Sequence, residues 1–357
     1  MASPSKRIVL VAGATGKQGR ATARHLLRLP QPSASEEWTV WALTRNAGST
    51  AALSLLREAE DTGGGAGSHI ELVEGDLDEP DSIRAIFDRG GAGIYGVFAV
   101  FAFQGLGAKP DKERGQAKLL ANLSLEFRVP AFVYSSTVPT SSNIDDTTEP
   151  GHKVKREIED YCQTELGPQG LNWTFLRPGI FMENFEGGLG PITTAIFHHG
   201  LKKDTTILPI ASDDIGKLAA GIFANHAQYL HKTLVATSGA ATMQEVVDGY
   251  RRATGKAMPA VPAFAAAVLL YLNAGVRNII QQVERNHEAR ASGELATFEV
   301  EVALARSVCE VQDFEQWTRG KAEAAAAAVT KGLAADAAEG NRSWNNVSLF
   351  KVLTGRA

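Results

Sequence analysis

Three glycines, Gly13, Gly16 and Gly19, follow one another at three-residue spacing in the stretch VAGATGKQGR. They stand where an apolar run, IVLVA, meets a segment with helical spacing, GRATARHLLRL. A strand that turns sharply into a helix presents backbone N–H groups and the positive end of the helix dipole to an anion. There Gly13 makes the tight turn, Gly16 lets the backbone approach a pyrophosphate, and Gly19 lets helix and strand pack closely. The spacing predicts a phosphate-binding loop, although any tight strand-to-helix turn can contain three glycines.

The end of the second predicted strand bears on which dinucleotide binds. In NAD-binding domains a carboxylate about 20 residues or more beyond the glycines binds the ribose 2′-hydroxyl. Here the strand TVWALTRN ends in Arg45 instead of an acid. A guanidinium offers bidentate, charge-assisted hydrogen bonds to a 2′-phosphate. Arg45 therefore predicts NADP(H) as the cofactor; the alternative is a surface arginine without a role.

Asp76 and Leu77 follow the third predicted strand, HIELVEGD. The carboxylate of Asp76 is suited to accept a hydrogen bond from the adenine amino group, and Leu77 can cover the ring. Aspartate is also a frequent helix N-cap, so Asp76 can equally cap the next helix. The sequence leaves both interpretations open.

The elements that position these residues alternate between strand and helix. Predicted strands alternate with segments of helical periodicity, and after the first strand they span 39–46, 69–76, 94–103, 131–136 and 172–178. This alternation produces right-handed crossovers and a parallel sheet that is covered on both faces. We therefore predict an α/β fold with a doubly wound parallel Rossmann sheet over residues 6–185.

Beyond Pro178 the alternation breaks down, which predicts a second, smaller C-terminal lobe of mixed α/β character. We assign residues 186–320 to this discontinuous lobe for substrate or partner, with chain returning to the sheet near 205–240. The segment PAVPAFAAAVLLYL is apolar enough either to line a pocket or to form a buried core helix. Residues 321–357 form an Ala-rich tail that begins as a predicted helix and has no assigned role.

Composition restricts the classes of function. The 357 residues include 44% hydrophobic and 21% charged residues, with a formal net charge of −4, as in a soluble globular protein. This charge balance argues against a nucleic-acid partner, and the N-terminal apolar run is too short for a membrane span. Cys162 and Cys309 form no CxxC pair, and the adjacent His198 and His199 lack a third ligand, so we predict no metal site. No targeting signal is evident, which makes the cytoplasm the default location.

The segments GATGKQGR, ALTRN, VEGDLDE, ERGQAKLLANL, FVYSS, KREIEDY and FLRPGIFMENF occur in this order along the chain, and DFEQW follows near its end. Their order and spacing resemble the NmrA-like branch of atypical short-chain dehydrogenases, over roughly residues 6–320. The resemblance implies a Rossmann fold that binds a nicotinamide dinucleotide.

The resemblance also implies which residues contact the cofactor. The family binds NADP(H) through the glycine turn, through an arginine that matches Arg45, through a lysine that matches Lys155, and through an aromatic-x-Glu-Asn segment. Met182 stands where the family often has an aromatic residue, which affects ring stacking only. The full predicted set is Gly13, Ala14, Thr15, Gly16, Lys17, Gln18, Gly19, Arg45, Asn46, Asp76, Leu77, Gln104, Lys155, Phe181, Met182, Glu183 and Asn184.

A proton donor is harder to place. Ordinary short-chain dehydrogenases use a tyrosine four residues before the lysine, but that position is Gly151 and the chain has no YxxxK motif. We therefore expect Lys155 to orient the nicotinamide ribose, with His152 as a nearby candidate acid. The alternatives are a solvated helix face for Lys155 and an incidental loop histidine for His152.

Two functions from different classes fit these residues. The first is an NADPH-dependent reductase of a small apolar carbonyl, enone or ether bound in the cleft between the lobes. The second is a non-catalytic NADP(H) or redox sensor that reports to a regulatory protein partner, because the family contains both kinds. A homodimer is compatible with either. The apolar second lobe favours the reductase, whereas the missing acid–base pair favours the sensor.

Overall fold

The computed structural model describes residues 5–33, 36–62, 68–102, 111–142 and 149–330. Of the residues predicted to contact a cofactor, Gln104 lies outside this part of the chain. Most of the predicted tail, residues 331–357, also lies outside it.

The described residues form eleven strands, seven of which make one parallel sheet. In chain order the strands are β1 (Ser5–Val11), β2 (Glu36–Thr44), β3 (His69–Glu74), β4 (Ile94–Ala99), β5 (Ala131–Ser135), β6 (Trp173–Pro178), β7 (Ile180–Phe181), β8 (Thr206–Ile207), β9 (Pro209–Ile210), β10 (Lys232–Ala236) and β11 (Ala241–Thr242). The sheet order is β10-β6-β5-β4-β1-β2-β3. Strand order reverses between β1 and β4, as in a doubly wound Rossmann sheet.

Thirteen α-helices connect and cover these strands within the described residues. They are α1 (Lys17–Arg28), α2 (Thr50–Thr62), α3 (Pro80–Gly90), α4 (Asp111–Glu126), α5 (Pro150–Asp160), α6 (Gly190–Gly200), α7 (Ser212–Ala224), α8 (His226–Tyr229), α9 (Met243–Thr254), α10 (Ala263–Leu272), α11 (Ala274–Ala291), α12 (Phe298–Val308) and α13 (Phe314–Thr330). A π-helical segment, Tyr161–Leu166, extends α5.

Both faces of the sheet are buried, which explains why its strands read as continuous apolar runs. Ile8 and Leu10 of β1 point to the face covered by α3, α4 and α5. Val9 and Val11 point to the opposite face, which is covered chiefly by α1, α2 and α7. Side chains that alternate between two apolar layers fix the strand register, because a one-residue slip would exchange the two sets. The predicted doubly wound fold is confirmed.

The chain returns to the Rossmann part after β9, through α7 and β10. Helix α7 packs directly on α1: a Cβ atom at Gly216 would lie 2.5 Å from the Ala21 Cβ, so only glycine permits this approach. Asp213, in the first turn of α7, also binds Arg24 at 2.8 Å and His25 at 3.1 Å. The strand β10 then pairs with β6 at the sheet edge.

The second lobe is mainly helical. Its core contains Met182, Phe185, Phe197, Val246 and Trp317 among its buried residues, contributed by the segment after β7 and by several helices. Two short strand pairs, β7 with β9 and β8 with β11, add the β component. The smaller lobe therefore has the predicted mixed character, with helices dominant.

Two segments differ from the predicted division of the chain. Helix α12 falls in the predicted second lobe but packs beside β10, because Phe298, Val302 and Ala305 form a stripe that meets apolar side chains there. The predicted boundary at residues 320 and 321 falls inside α13. A side chain at Gly320 would have open space around it, so this glycine does not mark a break.

The apolar segment at 259–272 is not a fully buried core helix. It contains α10, whose Ala266 and Leu269 are buried while Phe264 and Tyr271 are exposed. In the part of the chain that the structure describes, no single helix is both long and apolar enough to cross a membrane. Helices α10 and α11 pass that test only as a pair that is bent by 98°.

Candidate functional site

The predicted site residues gather at the carboxyl edge of the sheet. The glycine turn follows β1, Arg45 follows β2, and Asp76 follows β3. The strands β5 and β6 bring Ser135 and the segment at 180–184 to the same edge. In a doubly wound sheet, ligands bind in the crevice outside this edge, at the point where strand order reverses.

The three glycines have separable roles in the turn. Gly13 has φ +70°, and a Cβ atom there would lie 2.5 Å from the Val100 carbonyl oxygen. A Cβ atom at Gly19 would overlap the backbone of Gly13. At Gly16 the nearest atom to a Cβ would be the Gly13 oxygen at 3.3 Å, which is tight but not excluded. The fold itself therefore requires Gly13 and Gly19, whereas Gly16 leaves room for a ligand.

The first turn of α1 is open toward that ligand. Gly16 is its N-cap, no side chain caps it among the described residues, and no acidic residue occupies the first turn. Backbone N–H groups at an uncapped helix start can bind an anion. Ala14 is buried in the core and Thr15 is half-buried, so Ala14 contributes backbone rather than side chain.

Lys17 lies half-buried at this helix start. Burial lowers its pKa, against the opposing influence of the nearby Glu183 and Glu186. The Lys17 ammonium makes no hydrogen bond to another described residue. A cation in this position can neutralise a phosphate.

Arg45 is exposed just beyond β2 and makes no hydrogen bond or ion pair with any residue that the structure describes. Its neighbours Lys112 and Asp78 pair with each other at 2.8 Å. Lys112 and Gln116, and at longer range Arg45, lower the pKa of Asp78. The guanidinium is therefore available to an added anion. Asn46 instead accepts a hydrogen bond from the Gly48 N–H at 2.8 Å, which shapes the following turn.

Asp76 is not a helix N-cap. Helix α3 begins at Pro80 with Glu79 at the N-cap position, and Asp76 Oδ1 accepts a hydrogen bond from the Asp78 N–H at 3.0 Å. This is a local turn of the kind that aspartate favours. Leu77 is half-buried against the adjacent core. The turn holds both residues at the site edge, where the predicted adenine contact stays a prediction.

A chain of contacts joins the glycine turn to β5 and α5. The Ser135 hydroxyl donates to Gln18 Oε1 at 2.7 Å. The Lys155 ammonium lies 3.4 Å from the Ser135 carbonyl oxygen, to which it donates. Lys155 is thus placed beside the glycine turn although 137 positions separate it from Gln18 in sequence. The structure brings these two predicted residues together.

Sequence reasoning missed the partner of Lys155. The ammonium donates to Glu113 Oε1 at 2.6 Å, and the Tyr134 hydroxyl donates to the same oxygen at 3.0 Å. Glu113 is buried in α4 on the face that also carries Ala117 and Leu120. A carboxylate on an otherwise apolar helix face is the signal that would have found it, because a buried charge needs a partner.

His152 lies one helical turn before Lys155. Glu149 caps the start of α5 by accepting from the His152 N–H at 3.1 Å, and its Oε2 lies 3.5 Å from His152 Nδ1. That nitrogen is buried without a hydrogen-bond partner among the described residues. Residues three apart share a helix face, so His152 and Lys155 face the same region.

The residues of the segment after β6 differ in their exposure to solvent, so they do not all face the same region as predicted. Phe181 is half-buried and Asn184 is exposed, but Met182 is completely buried in the second-lobe core. We therefore remove Met182 from the residues facing the cofactor. Glu183 Oε1 accepts from the backbone N–H and the hydroxyl of Ser212, at 2.9 and 2.5 Å, and so caps α7. Its Oε2 is buried without a partner among the described residues.

Three tyrosines, Tyr95, Tyr134 and Tyr161, all have internal hydrogen-bond partners. The Tyr95 hydroxyl contacts His226 Nδ1 at 2.6 Å near the amino end of β4, and the Tyr161 hydroxyl donates to Asn122 at 3.0 Å. Tyr134 is fully buried, and burial raises its pKa well above the usual value. None is placed as an accessible acid.

The second lobe holds the loop that follows β5. The Asn286 side chain donates to the Pro139 carbonyl oxygen at 2.7 Å. Glu294 accepts from the Ser142 N–H at 2.7 Å. Residues that follow Ser135 along the chain are thus held by side chains of α11 and of the segment after it.

Comparison with known proteins identifies the family of the chain. The model of the NmrA-like family matches residues 5–318. The chain is 27% identical over 270 residues to the NmrA-like family domain-containing oxidoreductase cpsB of Aspergillus campestris, covering 71% of this chain and 75% of that protein.

Solved structures share the fold at low sequence identity. NmrA, a negative transcriptional regulator, in complex with NAD has a TM-score of 0.60 and 16% identity, covering 89% of this chain and 95% of its own. The NADPH-dependent quinone oxidoreductase QOR2 of Escherichia coli with NADPH has a TM-score of 0.57 and 17% identity, covering 87% and 98%. With a family match across nearly the whole described chain, and solved structures that share its fold, the chain belongs to the NmrA-like family.

Proposed function

We propose that the chain is an NADP(H)-dependent reductase of a small apolar carbonyl, enone or ether. The observation that carries the proposal is the exposed Arg45 guanidinium, which is unpaired within the described part of the chain and lies beside a glycine turn that leaves space at Gly16. These residues fit a dinucleotide with a 2′-phosphate, because a guanidinium pairs with phosphate in bidentate geometry. Relatives such as cpsB that are named oxidoreductases support the same class of reaction.

The chain's own residues divide the binding task. The first turn of α1 and Lys17 take the pyrophosphate, Arg45 takes the 2′-phosphate, and Asp76 with Leu77 takes the adenine. The Lys155 ammonium gives up part of its contact with Glu113 and donates a hydrogen bond to the nicotinamide ribose. This hydrogen bond fixes the orientation of the nicotinamide ring. Glu183 Oε2, which is buried without a hydrogen-bond partner among the described residues, accepts a hydrogen bond from the cofactor or substrate.

The bound NADPH would supply the hydride, and the protein would supply position and a proton. His152 is the candidate acid, because it shares the face of α5 with Lys155 and its Nδ1 makes no hydrogen bond with the described residues, its contact with Glu149 Oε2 being 3.5 Å long. Histidine can donate a proton near neutral pH. The solved quinone oxidoreductase gives one substrate class for the first trial.

The test is NADPH oxidation against a panel of quinones, carbonyls, enones and benzylic ethers, with binding of NADPH measured by calorimetry in parallel. We expect turnover of at least one apolar class, and a loss of about 10²-fold or more in His152→Asn if the histidine is the acid. Lys153→Met, a change at a neighbouring lysine of the same helix, serves as the control. Failure of NADPH to bind would contradict the proposal outright.

The second candidate is a non-catalytic NADP(H) or redox sensor that signals through a regulatory protein. It is favoured by the pairing of Lys155 with Glu113 and by the full burial of Tyr134, whose hydroxyl donates to the same carboxylate. Tight NADPH binding without turnover across the whole panel would select this function. A difference in protease protection between the NADP⁺ and NADPH complexes would then be expected, because a sensor must distinguish the two states.

A further inference from the structure

Helix α10 presents an apolar face to solvent. Phe264, Val268, Tyr271 and Leu272 are 73%, 50%, 82% and 71% exposed, whereas Ala266 and Leu269 on the other side are buried. Single exposed apolar residues are common, but a contiguous set marks an interaction surface. These four side chains are called the α10 face below.

The α10 face has the spacing of a helix-packing seam. Phe264, Val268 and Tyr271 are separated by four and then three residues, and Leu272 adjoins them. Apolar residues at alternating spacings of four and three face a partner helix. Ala263 and Ala267 lie beside them and are exposed, so a second backbone can approach closely.

Charge is kept away from the face. Helix α10 contains no charged residue. The Arg277 guanidinium turns back onto the carbonyl oxygens of Leu270 and Tyr271, the first at 3.1 Å, and Asn273 caps α11 by accepting from the Val276 N–H at 3.1 Å. The 98° bend between α10 and α11 leaves α10 projecting at the surface. A partner can therefore cover the face without burying an unpaired charge.

We infer that the α10 face is the contact surface of a homodimer, in which α10 of one copy packs antiparallel on α10 of the second about a two-fold axis. An uncharged surface with a single row of apolar side chains can pack against the same surface of a second copy. A two-fold interface requires such self-complementarity. The inference does not depend on the proposed reductase activity.

The exposed area agrees with a dimer of moderate affinity. Two aromatic and two aliphatic side chains at these exposures offer roughly 500 Å² on each copy. Two such faces bury roughly 1,000 Å² in total, which is near the lower limit for a specific interface. We therefore expect dissociation in the micromolar range rather than an obligate dimer.

A membrane surface fits the α10 face less well. Helices that lie on membranes carry Lys or Arg along their polar side, and their binding to anionic lipid depends on that charge. The opposite side of α10 is buried against the protein and contains no basic residue, and the chain has a net charge of −4. A second copy of the chain is therefore the favoured occupant.

The test is sedimentation equilibrium of the full chain over a concentration series, with Val268→Glu as the variant. A glutamate in the seam should weaken the dimer at least about tenfold, because both copies would bury it against apolar side chains. Val300→Glu is the matched control, since Val300 is 69% exposed on α12 and lies outside the face. Unchanged thermal unfolding in both variants shows that the fold is intact.

A crosslink gives a second, independent measurement. Ala267→Cys places a thiol near the centre of the α10 face, where a short bismaleimide should join two copies across the two-fold axis. The reference is Val300→Cys, and Cys309→Ala is included in both because Cys309 is only partly buried. A chain that stays monomeric at about 100 μM overturns the inference, as does equal weakening by both glutamate variants or equal crosslinking by both thiols. Monomers that float with anionic vesicles would instead assign the face to a membrane.

Discussion

Gly16 is the residue at which the needs of the fold and of the ligand separate. Gly13 and Gly19 cannot accept a side chain without a backbone clash, whereas a Cβ atom at Gly16 meets one oxygen at 3.3 Å. Substitutions at Gly16 and at Gly19 should therefore have different effects, the first on cofactor binding and the second on stability.

Gly16→Val should fold but lose NADP(H) binding, because its branched side chain occupies the approach to the pyrophosphate. Gly19→Ala should instead lower the free energy of unfolding, since its methyl group overlaps Gly13. Calorimetric titration and thermal denaturation of both variants distinguish the effects. Normal affinity in Gly16→Val would show that the phosphate binds elsewhere.

Arg45→Ala should remove most of the preference for NADP(H) over NAD(H) and leave NAD(H) affinity nearly unchanged. A hydrogen bond to a charged phosphate contributes about 1.5–3 kcal/mol, which corresponds to a preference of roughly tenfold or more. Titration of both dinucleotides with both proteins measures it. Equal affinities in the unsubstituted protein would contradict the role of Arg45.

Lys155 requires a paired substitution, because removing it alone leaves the Glu113 carboxylate buried beside only Tyr134. The double variant Lys155→Met with Glu113→Gln keeps the site neutral. We expect weaker NADP(H) binding and slower hydride transfer, since ribose alignment is lost. Single-turnover kinetics provide the measurement.

The rate of hydride transfer in Tyr161→Phe should stay within about tenfold of the unsubstituted rate, because Tyr161 is not expected to act as the acid. A thousandfold loss in Tyr161→Phe would overturn the positioning role.

At the scale of elements, the contact between α1 and α7 should make stability depend on pH. The hydrogen bond from His25, with the charge of Arg24, lowers the pKa of Asp213 to about 2. A depressed carboxyl pKa stabilises the fold above the unfolded value of about 3.9, and that stabilisation disappears as pH falls toward 2.

Asp213→Asn should therefore lower the free energy of unfolding at neutral pH and have little effect near pH 2. The carboxylate is 43% exposed, so solvent screening limits the difference to about 1 kcal/mol or less. Urea denaturation at several pH values measures it, with Asp204→Asn at an exposed position as the control. If the difference in unfolding free energy between Asp213→Asn and the unsubstituted protein grew as pH fell, this role of Asp213 would be contradicted.

At the scale of the whole molecule, the two lobes are tied by interwoven chain. Arg177 of β6 binds Glu159 of α5 at 2.6 Å and Glu301 of α12 at 3.1 Å, all largely buried. Removing one partner from a buried ion pair is costly. Helix α13 then returns to the second-lobe core through Phe314 and Trp317.

The described chain should consequently unfold in one calorimetric transition. A saturating nucleotide stabilises only the folded state, by about 2.7 kcal/mol at one hundred times the dissociation constant. We therefore expect NADPH to raise Tm of that single transition, and to raise it less in Arg45→Ala. Two transitions, of which NADPH moves only one, would show that the lobes fold independently.

The sequence by itself determined the sheet, the glycine turn and the place of Arg45. These features depend on local patterns: apolar runs buried on two faces, glycines at positions of close approach, and residue type directly after a strand. The family resemblance, rather than a local pattern, located Lys155 through its helix motif. Sequence patterns did not determine where residues 298–308 pack, because an amphipathic stripe does not reveal which apolar surface it meets.

Only the tertiary structure decided the partners of these residues. Glu113 meets Lys155 across 42 positions, and Ser135 meets Gln18 across 117, since parallel crossovers bring distant strand ends to one edge. It also removed Met182 from the cleft and left the α10 face exposed, although both segments are apolar in sequence. A hydrophobic side chain favours burial, but the packing of the whole chain determines which side chains are buried and which residues they contact.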